Sequence, residues 1–174
     1  MSYKVEKAKI SDHLKKLDNQ CLDSFDPLPK RTGLLYLLVG KKGASKSTTM
    51  LNILKTKQKD GGYKGFFKNI IFVSPTASKD KKLDKLRESC EEDSNYYSDF
   101  NNAIMMDIMN KCASYAEEYE DDDSTLLILD DCLALLPRSM KDNKFHQFVT
   151  TMRHLKCCCW VMLQFLKSVS PHRS

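Results

Sequence analysis

The chain has 174 residues, of which 41% are hydrophobic and 29% charged, a composition typical of one globular domain that can bury a core. No apolar run reaches the roughly 20 residues of a membrane-spanning helix, and residues 1–20 lack the apolar segment of a secretory signal, so we expect a protein that is neither membrane-spanning nor secreted. The net charge of +5 excludes neither a nucleic-acid partner nor an ordinary lysine-rich surface.

Residues 1–31 are predicted to form an N-terminal extension that is basic and partly extended, and residues 32–174 are predicted to form a single domain. The extension ends in FDPLPKR, whose two prolines disfavour a helix. Over residues 1–85, basic side chains outnumber acidic ones by 19 to 8, whereas residues 86–174 hold 9 basic and 15 acidic side chains. The basic first half suits a polyanion such as nucleic acid, and a solvated surface is the equal alternative.

Strands are predicted to alternate with helices along the domain. Apolar runs predict strands at Leu34–Val39, within Phe66–Val73, at Thr125–Leu129 and at Cys157–Leu163. Three- and four-residue spacing predicts helices over Ser47–Lys57, Asp80–Cys90, Asp99–Tyr119 and Asn143–His154. This alternation predicts an α/β fold with a mainly parallel central sheet. The unbroken apolar run at Leu34–Val39 further predicts a strand that is buried on both faces.

Sulfur-containing and acidic clusters have ordinary structural interpretations. The adjacent Cys157, Cys158 and Cys159 would point to alternate faces of a strand, so they cannot together grip a metal from one side. We interpret the seven cysteines as small buried thiols of an intracellular protein, against a metal or disulfide role. We interpret Met105, Met106 and Met109 as core filler. We interpret the acidic residues 117–123 as a solvated turn.

A candidate phosphate-binding loop follows the first predicted strand and precedes the first predicted helix. It matches the pattern G-x-x-x-x-G-K-[ST] at Gly40, Lys46 and Ser47. Backbone N–H groups at a helix N-terminus attract anions, Lys46 adds charge against the outer phosphates, and the Ser47 hydroxyl can bind Mg²⁺. The alternative is a chance loop. The candidate nucleotide-binding residues are Gly40, Lys41, Lys42, Gly43, Ala44, Ser45, Lys46, Ser47 and Thr48.

One residue departs from the loop pattern, because Ser45 stands where the second glycine is usual. If this position needs a positive φ, the Cβ of serine carries a penalty of about 1 kcal/mol or more. The loop would then cradle phosphate less well.

Two acids and one amide follow later strands. Asp130 and Asp131 end the run LLILDD, where Asp130 would hold Mg²⁺ and Asp131 would orient and deprotonate an attacking water. The alternative for the acids is the N-cap of a following helix. Gln164 ends the run CCCWVMLQ, where it can sense the γ-phosphate or hold the water, or can be an ordinary polar residue at a strand end.

These polar groups all follow predicted strands. Ligands of parallel sheets bind at the carboxyl ends of the strands, so the groups are expected to converge on one crevice. The four segments are Gly40–Ser47, Ser74–Thr76, Asp130–Asp131 and Gln164.

Arg153 and His154 come before the last predicted strand. Arg153 could reach into a neighbouring subunit's nucleotide site as an arginine finger, or could be a cation that favours a helix C-terminus. His154 is interpreted as structural rather than catalytic.

The order VGKKGASKSTTMLNIL, IIFVSPT, LLILDD and RHLKCCCWVMLQ resembles the genome-packaging ATPases of large double-stranded DNA viruses. These belong to the poxvirus-type branch of the FtsK–HerA superfamily, with relatives in virophages and polinton-like elements. The resemblance covers roughly residues 32–173. Its more specific signs are SPT after the second strand and RH before a strand that ends in glutamine.

The resemblance implies a P-loop NTPase three-layer sandwich of the additional-strand type. It further implies ATP and Mg²⁺ as cofactors, Lys46 and Ser47 as phosphate and Mg²⁺ contacts, and Asp130 as the Walker B acid. Asp131 would be the catalytic carboxylate, Gln164 the sensor and Arg153 the finger that acts in trans. Because the family continues with another strand and helix, it also implies a domain that is short at its C-terminal end.

The resemblance further implies a homo-oligomeric ring, expected to be a hexamer, that hydrolyses ATP to drive double-stranded DNA into a capsid. Its partners would then be duplex DNA and capsid components, in the host cytoplasm (the viral factory) or the virion. Two alternatives stay open. One is a P-loop protein that binds nucleotide without hydrolysis, as an accessory or decayed subunit, and the other is a nucleoside or nucleotide kinase.

Overall fold

The computed structural model describes residues 33–118, 124–132, 135 and 143–164. The predicted N-terminal extension, residues 119–123 of the acidic stretch and the tail after Gln164 lie outside the described residues.

The described residues form five strands and four α-helices, joined in part by short 3-10 helices. The strands are β1 (Leu35–Val39), β2 (Phe67–Val73), β3 (Tyr96–Tyr97), β4 (Ser124–Asp130) and β5 (Cys157–Leu163). The helices are α1 (Lys46–Lys55), α2 (Asp84–Glu92), α3 (Asn102–Glu118) and α4 (Lys144–Thr151). The 3-10 helices are Gln58–Asp60, Ala77–Lys79 and Lys81–Leu83.

All five strands are parallel and form one sheet in the order β1-β5-β4-β2-β3. The last of the described strands, β5, therefore lies between β1 and β4, with Leu37 opposite Val161 and Ile128 opposite Trp160. The predicted α/β fold with a parallel sheet is confirmed. Because the strands run in one direction, the residues that follow β1, β2, β4 and β5 meet at one edge of the sheet.

Helices cover both faces of the sheet, and each face has its own core. One core joins α3 and α4 to the sheet, through Ile108 and Phe148 among others. The other joins α1 to the opposite face, through Met50 and Trp160. Alternation along β5 places Cys157 and Cys159 in the first core and Cys158 in the second, as predicted. The six described cysteines are buried free thiols.

The prediction that the first strand is buried on both faces is wrong. β1 is an edge strand of the described sheet, and its Leu35, Leu37 and Val39 are 38%, 53% and 45% exposed. Only Tyr36 and Leu38 of the strand pack against the core under α1. An apolar run alone could not reveal this, because hydrophobic residues occur on both central and edge strands.

Two details of the predicted helices differ in the structure. Met105 is buried but Met106 is 45% exposed, because consecutive residues of a helix lie about 100° apart and cannot both face one core. The predicted helix over Asp80–Cys90 is broken, because the Asp80 carboxylate accepts a hydrogen bond from the Lys82 N–H and starts a 3-10 turn before α2. Within the described ranges, no helix is long and apolar enough to cross a membrane.

Candidate functional site

A cavity of about 550 Å³ opens at the carboxyl edge of the sheet, a volume in the range of small-molecule sites. The segments after β1, β2, β4 and β5 all contribute to its wall. The lining residues are Lys42, Gly43, Ala44, Ser45, Lys46, Ser47, Thr48, Thr76, Lys79, Asp80, Lys82, Asp130, Asp131 and Gln164.

Two glycines allow the loop after β1 to turn tightly. The Gly40 N–H donates to the carbonyl oxygen of Leu163 at 3.1 Å, which holds the start of the loop against β5. A Cβ on Gly40 would lie 3.0 Å from the Cβ of Ala44, so a larger residue would push the loop open. Gly43 has φ +84, which glycine adopts without a steric penalty. The loop geometry therefore depends on both glycines.

Ser45 has the positive φ for which the sequence predicts a penalty. Its φ is 57 and its ψ is 25, in the left-handed region, and it is the N-cap of α1 without a side-chain capping bond. Such a conformation costs a residue with a Cβ about 1 kcal/mol or more. Because φ is positive, serine is less favourable than glycine at this position.

Lys46 folds back over the loop. Its Nζ donates to the carbonyl oxygen of Gly40 at 3.0 Å, and the residue lines the cavity together with Ser47 and Thr48. These residues form the first turn of α1, whose leading N–H groups have no acceptor within the helix. The helix start thus combines backbone donors, one ammonium and two hydroxyls at the cavity wall. Gly40 and Lys41 shape the loop but do not line the cavity.

Asp130 ends β4 on the floor of the cavity and is only 6% exposed. The hydroxyl of the fully buried Ser74, which follows β2, donates to its Oδ2 at 2.9 Å. The Tyr96 hydroxyl in turn donates to the Ser74 carbonyl oxygen at 3.0 Å. Two neighbouring strands therefore fix the position of this carboxylate.

The pKa of Asp130 is raised above its ordinary value. Burial is the largest cause, and the nearby Asp131 and Asp80 carboxylates add to it. The Ser74 hydrogen bond and the Lys46 ammonium act in the opposite direction, because both favour the ionised form. A buried carboxylate with a raised pKa is a site where a bound cation relieves the cost of charge.

Asp131 and Gln164 both line the cavity and are in direct contact. The Gln164 Nε2 donates to Asp131 Oδ2 at 2.5 Å. Asp131 has φ 52, which aspartate tolerates better than most residues, and its N–H donates to the Met162 carbonyl oxygen at 3.2 Å. The acid and the amide are thus held together from adjacent strands.

Arg153 does not join these residues. It is exposed and packs beside Gly33, the residue that lies two positions before β1, so it sits at the amino edge of the sheet. The cavity is at the opposite edge, which means that Arg153 cannot serve the cavity of its own chain. His154 is exposed beside it. The trans-acting role of Arg153 stays a prediction.

Sequence reasoning missed the basic and acidic residues of the turn after β2. Lys79, Asp80 and Lys82 line the cavity opposite the loop. Asp80 and Lys82 fall in the predicted helix over Asp80–Cys90 and Lys79 in the turn before it, where exposed charges carry no signal of a site. Their position after the SPT segment, itself placed at a strand end, was the only available hint.

Among the described residues, no group of three or more His, Cys, Asp or Glu side chains could hold a metal. Mg²⁺ does not require such a cage, because it is usually held by one or two carboxylates together with substrate phosphates. Ser47 and Asp130 line the same cavity, and a hydroxyl with a carboxylate fits this donor set.

The fold and the cavity define an α/β protein with a parallel sheet and a candidate site at the carboxyl edge of that sheet. Comparison with known protein families and with curated proteins found no match for this chain.

Proposed function

We propose that this chain is an ATP-binding and ATP-hydrolysing motor subunit that packages viral double-stranded DNA into a capsid. The observation that carries the proposal is the juxtaposition of the loop and the acids: Lys46 and Asp130 line one cavity, and the Lys46 ammonium acts on the pKa of Asp130. A lysine against phosphates and a buried acid beside a metal are the two parts that Mg²⁺-dependent phosphate chemistry needs.

The strand order supports the finer fold assignment, a P-loop NTPase of the additional-strand type. Here β5 lies between β1 and β4. The same arrangement brings Gln164 beside Asp131. This pair favours ATP hydrolysis over the transfer of phosphate to a nucleoside.

Each residue then has a defined task. The N–H groups of the loop and Lys46 bind the phosphates, while Ser47 and Asp130 would hold Mg²⁺, which supplies charge neutralisation of the phosphate oxygens. Asp131 accepts the proton of the attacking water, and Gln164 keeps the acid and the water in line.

The packaging role rests on the resemblance of the sequence rather than on the cavity. We propose a homo-oligomeric ring, hexameric by analogy, in which Arg153 of one subunit acts at the next subunit's nucleotide. Its exposed position away from its own cavity is consistent with this role. Duplex DNA and capsid components would be the partners, in the viral factory or the virion.

ATP hydrolysis by the assembled protein, with Mg²⁺ and with or without duplex DNA, tests the proposal. The Asp131→Asn variant is the matched control, because asparagine also tolerates a positive φ and keeps an acceptor for Gln164. We expect turnover that duplex DNA stimulates and that falls steeply with salt. Turnover no higher than that of Asp131→Asn would exclude a motor.

A second candidate is a nucleotide-binding subunit without hydrolysis, and the strained Ser45 favours it. Nucleotide binding without detectable turnover would select this candidate. Recovery of turnover in Ser45→Gly would then locate the defect in the loop.

A further inference from the structure

The turn after β2, residues 76–83, forms a second basic wall of the cavity. Two 3-10 helices, Ala77–Lys79 and Lys81–Leu83, build it, and Ala77 and Leu83 anchor it in the core with 0% and 1% exposure. The Asp80 carboxylate accepts from the Lys82 N–H at 3.1 Å and fixes the second helix. The wall is therefore an ordered part of the site.

Lys82 reaches the first turn of α1. Its Nζ lies 3.5 Å from the Thr48 Oγ1, at the limit of a hydrogen bond. Thr48 follows Ser47, the residue that the proposed function assigns to Mg²⁺. The Lys82 ammonium therefore lies at the cavity wall beside the residues that would bind Mg²⁺ and phosphate.

The charges of the lining point to a highly charged anion. Lysines come from the segments after both β1 and β2, and one of the three acids is assigned to the metal. Lysines on two sides exceed what a single phosphate requires, and charge-assisted bonds to phosphate are among the stronger polar contacts. The charged lining residues are Lys42, Lys46, Lys79, Lys82, Asp80, Asp130 and Asp131.

We infer that Lys82 is a second phosphate-binding lysine that makes the site prefer a nucleoside triphosphate over a diphosphate. This inference rests on the proposed nucleotide site. On binding, Lys82 exchanges its long contact with the Thr48 hydroxyl for the terminal phosphate, and the neighbouring Lys79 reinforces the positive potential. A diphosphate lacks the group that Lys82 binds.

Calorimetric titration of the full chain with Mg·AMP-PNP and with Mg·ADP tests this inference. The variants are Lys82→Gln and, as control, Lys81→Gln, which removes the same charge from an exposed neighbour in the same 3-10 helix outside the cavity. We expect Lys82→Gln to weaken Mg·AMP-PNP about tenfold and Mg·ADP less than about threefold. Lys82→Arg should retain the preference, and Lys81→Gln should change neither affinity beyond about twofold.

Equal losses for the two nucleotides, or equal effects of Lys82→Gln and Lys81→Gln, would overturn the inference while leaving the nucleotide site intact. Wild-type protein that binds neither nucleotide would instead overturn the proposed function, and this inference with it. Thermal unfolding of each variant separates a lost contact from a lost fold.

Discussion

The side-chain amide of Gln164 donates a hydrogen bond to the Asp131 carboxylate across 2.5 Å and so joins the ends of β5 and β4. The bond occupies Oδ2 of the Asp131 carboxylate. Strand order produces this pair, because the two residues are 33 positions apart in the chain. It is the most specific feature of the candidate site, since a single acid after a strand has many other uses.

Replacing Gln164 with alanine is expected to lower ATP turnover about 100-fold while changing Mg·AMP-PNP affinity by about twofold or less, because the proposed function assigns Gln164 to the attacking water rather than to nucleotide binding. Steady-state turnover and calorimetry measure the two effects separately. Gln147→Ala, a change at an exposed glutamine of α4, is the control and should alter neither. Equal losses in affinity and turnover would show that Gln164 acts as a binding residue.

Replacing Ser45 with glycine is expected to raise the free energy of unfolding by about 1 kcal/mol and Tm by about 2–4 °C, because glycine relieves the left-handed strain at φ 57. Ser94 also has φ 57 but lies far from the cavity, so Ser94→Gly should stabilise without affecting nucleotide affinity. Thermal unfolding and Mg·AMP-PNP titration check both variants. A lower Tm for Ser45→Gly alone would show that serine makes a compensating contact.

The sequence was sufficient to place the central strands and the groups that follow them. Apolar runs located β2, β4 and β5 closely, because buried parallel strands are continuous and end where polar residues begin. The carboxyl-edge rule then brought the Gly40–Ser47 loop to the same side of the sheet as Asp130 and Gln164. Local pattern and topology agree at these positions.

Three other features of the fold and site depend on tertiary contacts that the sequence pattern does not predict. The two-residue β3 is too short to show alternation, and it forms only because Phe72 and Val73 pair with it. The exposed face of β1 reflects its place at the edge, which depends on the whole strand order. Lys82 reaches the cavity only because the Asp80 carboxylate turns the chain before α2.

Replacing Ser74 with alanine is expected to raise the pKa of Asp130 further, because the lost hydrogen bond favours the ionised carboxylate. The loss should also lower the free energy of unfolding by about 1–3 kcal/mol, since a buried acceptor is left unpaired. The pH at which Mg·AMP-PNP binding is half-maximal should move upward. Ser89→Ala, at an exposed position of α2, is the control, and a matching pH profile in both variants would contradict the assignment.

Replacing Asp130 with asparagine is expected to raise the Tm of the nucleotide-free protein at pH 8 more than at pH 3, which lies below the ordinary aspartate pKa of 3.8. The folded-state pKa of Asp130 is raised, so ionisation destabilises the fold as pH rises through the range between the unfolded and folded pKa values. Below the unfolded pKa the acid is neutral in both states and the gain disappears.

The control for that variant is Asp60→Asn, which changes an exposed carboxyl and should show no such pH-dependent gain. Thermal unfolding across the pH range measures the difference. A gain in Tm that grows as the pH falls would show that the folded-state pKa of Asp130 is not raised. It would also argue against Asp130 as a buried acid of the metal site.

A crystal structure of the full chain grown with Mg·AMP-PNP would show directly where the nucleotide binds. We expect a triphosphate against the backbone N–H groups around Lys46, with Mg²⁺ between the Ser47 hydroxyl and the side of the cavity that Asp130 forms. A nucleotide bound away from this cavity, or a cavity that stays empty at saturating Mg·AMP-PNP, would contradict it.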